Sequence, residues 1–351
     1  MNTEEKIKLF NYVFAPKPSE KILILFDVPH DNISDNEKWK DRRKMAMEWY
    51  DTFRAMGKKN NFTVKLMEFP ATGLHNYIIP KKFIDIAMKM DLVIAMTEFS
   101  ATSSLVKVAY SKDSKTRCTS MPNVERRMEK TAFQADYEKV NEYATAIEKI
   151  LKNKIAADIK FSTGDKLHID LRNRNPKKEA GNCTKPGNLI NFPSGEAWIS
   201  PYEGAPDELD VFGESKTEGI WPVDYFGDLL KLVIKKNRIV EVKGNGENAD
   251  KMRKIFEEND SRRNIAELGI GCNPKAVVSG NPLEDEKVSG LHIAYGMSNH
   301  IGGKIKSDLH VDISYPKDAP IEAVTLTLID KKGNKTELIK NSKLRYEILK
   351  K

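Results

Sequence analysis

Apolar residues come in short continuous runs in the first half of this chain and in alternating runs in the second. KILILFD at 21–27 is almost wholly apolar, as expected of a strand covered on both faces. FTVKLMEF at 62–69 and DLVIAMT at 91–97 are of the same kind, and 118–121 suggests a short fourth strand. Helix-like stretches lie between them. One covers 37–56, carrying Trp39, Met45, Trp49 and Phe53 on one face, with Gly57 as its stop. Another covers 79–90, with Pro80 near its first turn. An amphipathic helix opens the chain and ends near Pro16; a further helix begins around Ser103, Ser104 and Lys107, and 132–151 reads as one long helix. Strands alternating with helices predict an α/β amino-terminal domain with a parallel sheet, placed at 1–153. In such sheets ligands gather beyond the carboxyl ends of the strands, where Asp27, Glu68, Glu98 and Ser100 fall. No glycine-rich phosphate-binding pattern follows the first strand, which speaks against a dinucleotide.

From 154 to 351 the pattern is that of a second domain built on hairpins. ADIKFSTGDKLHIDL at 157–171 alternates on either side of Thr163-Gly164-Asp165, with His168 as a cross-strand or surface residue. A polar loop rich in Pro and Gly fills 172–188, and NLINFPSGEAWISP then sets Glu196 directly after Ser194-Gly195. LDVFGES at 209–215 and LLKLVIKKNRIVEVKG at 229–244 read as strands, and 248–258 as a helix. SRRNIAELGIGCNP at 261–274 reads as a further strand and places Glu267 ahead of Gly269 and Gly271; a glutamate on a helix would face solvent instead. The last strands, 323–328 and 336–339, form a hairpin across Lys332-Gly333-Asn334.

Composition narrows the function classes. Charged residues are 31% and apolar ones 40%, enough for a folded interior. The net charge of +7 is concentrated between Lys331 and Lys351, which carry eight Lys or Arg against two Glu, and no basic stripe with interleaved aromatics appears. A nucleic-acid role is therefore not expected. Cys118, Cys183 and Cys272 lack any zinc-finger or redox spacing, which suits a reducing interior. No apolar run reaches membrane-spanning length and the start lacks a leader pattern, so a cytoplasmic protein that does not enter membranes is expected.

Candidate chemistry is concentrated in EDEKVSGLHIAYGMSNHIGGKIKSDLHVD at 284–312, which holds three of the six histidines beside five carboxylates. His292 lies in one strand-like run, and His310 and Asp312 form a His-x-Asp pair in another. Alternate residues share a strand face, so the pair points one way. Imidazole and carboxylate in otherwise apolar strands are expensive to bury unless paired or bound to a cation. The glycines of His300-Ile301-Gly302-Gly303 allow the two strands to return alongside each other.

Taken in order, NFPSGEAWISP, RRNIAELGIGCNP, DEKVSGLHIAYG and SDLHVDIS resemble the thermophilic metallo-aminopeptidase family, the aminopeptidase T-like proteins, over roughly 188–314. The resemblance implies an α/β amino-terminal domain followed by an α+β, mostly antiparallel catalytic domain, commonly as a homodimer. It implies that Glu196, Glu267, His292, His310 and Asp312 hold two divalent metal ions, zinc, cobalt or manganese. The implied reaction is removal of amino-terminal residues from peptides with a free amino terminus, by a water activated between the two ions. Glu286 is the candidate proton shuttle. The family's metal-site tyrosine has no clear match: Asn299 falls near its place, with His300 next and Tyr295 earlier, so either His300 substitutes as a donor to the metal or to the transition state, or the activity has drifted.

The rival reading is an oxygenase. His292, His310 and Asp312 have the composition of a facial triad for one ferrous ion, and a ring-cleaving dioxygenase family resembles the same catalytic domain. Glu196 and Glu267, which one iron would not need, weigh toward the peptidase. A third reading is a non-enzymatic member whose first domain binds a small ligand.

Overall fold

The computed structural model describes residues 1–350. In chain order, α1 (Thr3–Val13), β1 (Lys21–Val28), α2 (Glu37–Asn60), β2 (Thr63–Pro70), α3 (Lys81–Ala87), β3 (Leu92–Ala95), α4 (Thr102–Ala109), β4 (Arg117–Ser120) and α5 (Tyr137–Leu151) come first. The middle of the chain forms β5 (Lys154–Phe161), β6 (Lys166–Asp170), β7 (Lys177–Glu179), β8 (Leu189–Asn191), β9 (Glu196–Ile199), α6 (Pro206–Phe212), β10 (Glu218–Tyr225), β11 (Asp228–Lys235) and β12 (Arg238–Lys243). It ends with α7 (Glu247–Glu258), β13 (Ile265–Gly271), α8 (Pro282–Asp285), β14 (Gly290–Gly296), β15 (His310–Ser314), β16 (Ala323–Asp330), β17 (Lys335–Lys340) and β18 (Lys343–Leu344). Two compact units result, each discontinuous in sequence. The first is Met1–Asn141, Glu179–Ser194 and Lys275–Glu284; the second is Glu142–Lys178, Gly195–Pro274 and Asp285–Lys351.

The first unit is a parallel sheet in the order β2-β1-β3-β4-β8. The apolar run of β1 serves both faces. Ile22, Ile24 and Phe26 pack with Phe10, Trp49 and Phe53 of α1 and α2, while Leu23 and Leu25 pack with Phe83, Leu105 and Val108 of α3 and α4. Helix α2 overruns the expected stop at Gly57 and ends where Asn61 turns left-handed at φ 56°. Asp27 is fully buried at the end of β1 and accepts hydrogen bonds from Trp39 Nε1 (2.9 Å), Glu98 N (2.8 Å) and Phe99 N (3.0 Å), so it ties the segment after β3 to the strand end.

Two local expectations change, and one run proves to serve two sheets. The long helix expected over 132–151 starts at Tyr137, because Asp136 accepts from the amides of Glu138 and Lys139 and so caps the helix there, with a short 3-10 turn at Ala132–Gln134 before it. The run NLINFPSGEAWISP is divided between sheets, with β8 extending the parallel one and β9 entering an antiparallel one. LDVFGES, expected as a strand, is mostly α6: Pro206 opens it, Asp207 and Glu208 fill its first turn, and Gly213 ends it.

The second unit contains two antiparallel sheets, β12-β11-β10-β6-β5-β16-β17-β18 and β15-β14-β13-β9-β7. Trp221 of the larger sheet lies 6.2 Å from the ring of Tyr295 on β14 and donates from Nε1 to Tyr315 Oη at 2.5 Å, and Tyr315 donates to Pro222 O at 2.8 Å. His168 is a cross-strand residue as expected, with Nδ1 2.7 Å from Asp158 Oδ1. Among the described residues no helix is long and apolar enough to cross a membrane.

Candidate metal centre

The site is built on four neighbouring strands of the smaller sheet. Antiparallel pairing sets Gly271 opposite Glu196, Gly269 opposite His292, Ala294 opposite both Glu267 and Asp312, and Gly296 opposite His310. Facing residues project to the same side of a sheet, as do alternate residues of a strand. Glu196, Glu267, His292, His310 and Asp312 therefore share one face. Residues Leu291, Ile293 and Tyr295 of β14 take the other face and are buried. Tyr295 stacks edge-on with Trp221 and Phe256, so it does not stand in for the aminopeptidase tyrosine, and Asn299 is exposed. Glu267 lies on the fully buried strand β13, within the segment expected from sequence to be a strand, and not on a solvent-facing helix.

Small residues make room for the donors. A Cβ on Gly269 would lie 1.8 Å from His292 Nε2, so the imidazole rests directly on this glycine. A Cβ on Gly271 would lie 2.1 Å from Val288 O, because the segment leading into β14 crosses it. Asn273 N donates to Lys287 O at 3.0 Å and holds that crossing in place.

Glu267 sits between the two imidazoles, with Oε1 3.3 Å from His292 Nε2 and Oε2 3.4 Å from His310 Nε2. His292 Nε2 is also 3.3 Å from Glu196 Oε2, and His310 Nε2 is 3.3 Å from Asp312 Oδ2. The donors thus form two overlapping groups that share Glu267: Glu196, Glu267 and His292; and Glu267, His310 and Asp312. His310 Nδ1 is 2.7 Å from Met297 O; as the donor there, it leaves Nε2 as the ligand atom. Asp312 Oδ1 is buried with no hydrogen-bond partner among the described residues, the condition of a carboxylate oxygen whose natural partner is a cation. This donor set fits a divalent metal ion.

The two candidate catalytic residues differ in setting. Glu286 Oε1 is 2.7 Å from Lys287 Nζ, and burial pushes its pKa up to about 7 against the opposing charge of Lys287. His300 stands 5.0 Å from His310 between ring centres and belongs to neither donor group. It is exposed overall, but desolvation of the ring and the charge of His310 push its pKa down to about 4. Sequence reasoning missed Glu203. This buried carboxylate accepts from Lys304 N (2.7 Å), Asn264 Nδ2 (3.0 Å) and the Ser298 hydroxyl, and so anchors the loop between β14 and β15.

Charge in the site is strongly coupled. Burial disfavours the His292 imidazolium, yet Glu267, Glu196 and Asp312 outweigh it and raise the pKa to about 9. Burial likewise opposes His310, but Asp312 and Glu267 hold its pKa well above the usual value. Glu267 in turn is held well below the usual carboxylate range by both imidazoles, despite its burial. The metal-free protein therefore carries protons where a cation would sit. Because the folded pKa of His292 is raised, its contribution to stability is complete below about pH 6.5 and is lost as pH rises through about 9. Loading a metal must displace these protons, so apparent affinity rises about tenfold per pH unit for each proton displaced, up to about pH 9. Calorimetric titrations in buffers of different ionisation enthalpy measure the proton release directly; an affinity flat between about pH 6 and 9 would contradict it.

A family model described as NicX: 2,5-dihydroxypyridine 5,6-dioxygenase matches residues 58–317. The chain belongs to the NicX family. Two solved structures share its fold. A 2,5-dihydroxypyridine dioxygenase from Pseudomonas putida has a TM-score of 0.71 at 15% identity, covering 98% of this chain and 98% of its own. Wild-type AmpT from Thermus thermophilus has a TM-score of 0.63 at 13% identity, covering 97% of this chain and 98% of its own. No curated protein matches the chain. The aminopeptidase resemblance thus holds for the fold, an α/β unit with a parallel sheet and a mostly antiparallel one. The function drawn from it does not hold. Membership of the NicX family, with a dioxygenase as the better-scoring of the two structures, overturns the metallo-aminopeptidase expected from sequence and the peptide substrate that went with it. The donor cluster supports a bound metal, but not the expected pair of zinc, cobalt or manganese ions.

Proposed function

We propose that this protein is a ring-cleaving dioxygenase that opens a hydroxylated pyridine or similar ring with molecular oxygen. His292, His310 and Asp312 would hold the one ferrous ion, with Glu267 between the imidazoles. The observation that carries this reading is the match of residues 58–317 to the dioxygenase family model. The chemistry of the site agrees: two imidazoles and an aspartate on one sheet face are the ligand types of a non-haem ferrous centre with open positions.

When bound, ferrous iron supplies the one-electron chemistry that lets dioxygen react with a spin-paired ring. The protein's own groups do the rest. Met297 O fixes the His310 ring so that Nε2 faces the site. The Glu286 carboxyl, with a pKa of about 7, takes up the proton of a ring hydroxyl near neutral pH while Lys287 Nζ, 2.7 Å away, stabilises the charged form. His300 stays neutral at that pH beside His310 and does not compete for the ring's proton.

The test is anaerobic purification, loading with ferrous iron, and assay with 2,5-dihydroxypyridine and related dihydroxylated rings on an oxygen electrode with mass analysis of the product. The expected result is one oxygen molecule consumed per ring and a ring-opened product heavier than the substrate by two oxygen atoms. Unblocked dipeptides should release no amino acid. Absence of oxygen uptake with every hydroxylated ring tried would end the reading.

A further inference from the structure

We propose that the ammonium of Lys287 occupies the place of a second metal ion beside Glu196, so that the centre holds one divalent cation. The inference rests on the metal-centre reading of the same site and adds to it the residue that keeps the centre to a single ion.

The five donors by themselves offer two cation positions, because the two groups share only Glu267. Lysine intrudes on one of them. Its side chain is fully buried, with Nζ 2.5 Å from Glu196 Oε1 and 2.7 Å from Glu286 Oε1. At these distances the ammonium does what a cation would do for Glu196, neutralising it and filling one of its oxygens. A divalent ion entering the group of Glu196, Glu267 and His292 would meet a fixed positive charge in a site too dry to screen it. The ion pairs recorded for Glu267, His310 and Asp312 run to one another and to His292. The metal position at His310 and Asp312 therefore stays available.

The backbone prevents the lysine from withdrawing. Residues 286–288 pass over Gly271 so closely that a Cβ there would lie 2.1 Å from Val288 O and 2.6 Å from Glu286 O. The Asn273 amide binds Lys287 O at 3.0 Å. The main chain is fixed at this point, and a buried ammonium leaving its two carboxylates would strand both charges.

Elemental analysis and manganese titration read the ion count without reference to catalysis. Wild-type protein should bind one manganese ion per chain and leave the second of two equivalents free, with the paramagnetic resonance spectrum of an isolated ion. Lys287→Met should bind two per chain, and Lys287→Arg, which keeps the charge, should bind one. Two ions in the wild type, or one in a folded Lys287→Met protein, would overturn the proposal. The wild-type titration decides even if the methionine variant fails to fold. One bound ion without oxygen uptake would leave this inference standing while defeating the dioxygenase reading, and two ions with oxygen uptake would do the reverse.

Discussion

His310→Ala should lose its metal and, with it, oxygen uptake. His310 supplies the one imidazole in the group with Glu267 and Asp312, its Nε2 lying 3.4 and 3.3 Å from their carboxylates. Partners that merely orient a ligand are worth about 10–100-fold in affinity, so removing the ligand itself should weaken binding by at least about a hundredfold. Stability of the metal-free protein should also fall. The alanine leaves Glu267 and Asp312 facing one another with only His292 to offset them, and breaking a buried ion pair costs about 3–5 kcal/mol where both charges are well buried. His310 is about one-sixth exposed, so the lower end applies. His168→Ala is the control, because His168 lies on the other sheet of the unit and pairs with the exposed Asp158. Calorimetric titration of both variants with ferrous iron, together with thermal melts without metal, separates the effects. Iron affinity within about threefold of wild type in His310→Ala would remove His310 from the centre.

The sequence displayed some of this arrangement and hid the rest, for physical reasons that differ from residue to residue. The two-residue spacing of His310 and Asp312 was enough to place both on one strand face, because a strand's period is fixed. The unbroken run of β1 announced a strand covered on both sides, since each face had to meet helices. Glu267 was harder. Read alone it resembled a surface glutamate, and only the register of β13 against β14 brings it between His292 and His310. The α6 segment is deceptive because LDVFGES alternates like a strand, while the features that make it a helix, Pro206 and the acidic first turn, lie upstream of it.

The chemistry was the least legible part. A peptidase and a ring-opening oxygenase draw on the same imidazoles and carboxylates, and both kinds of protein share this fold. Counting donors favoured two metals because Glu196 and Glu267 looked superfluous for one. What the count left out was Lys287, a charge neighbouring Glu286 in sequence. Its burial against Glu196, 91 positions away, depends on the crossing over Gly271 and could not be seen without the fold.

Gly269→Ala is the sharper test of how the site is assembled, because it adds one methyl group and removes no donor. The new Cβ would stand 1.8 Å from His292 Nε2 and 2.4 Å from both Cδ2 and Cε1, so the imidazole must leave its present position. Little else can yield, since β13 and β14 are buried along their whole length and paired at this point. Overpacking of this kind typically costs about 1–3 kcal/mol. The larger consequence falls on function: a displacement of roughly 1 Å at a reacting centre can cost about a hundredfold in rate. Gly269→Ala should therefore keep its circular dichroism spectrum, bind iron more weakly, and turn over at about 1% of the wild-type rate. Gly164→Ala supplies the comparison. That glycine turns the β5–β6 hairpin at φ +87° with nothing within 4 Å of an added Cβ, so alanine there strains the backbone without touching a donor. If the two variants lose stability alike but only Gly269→Ala loses iron, the loss traces to the imidazole that rests on this glycine. Equal iron affinity in both would mean that His292 is not needed to hold the metal.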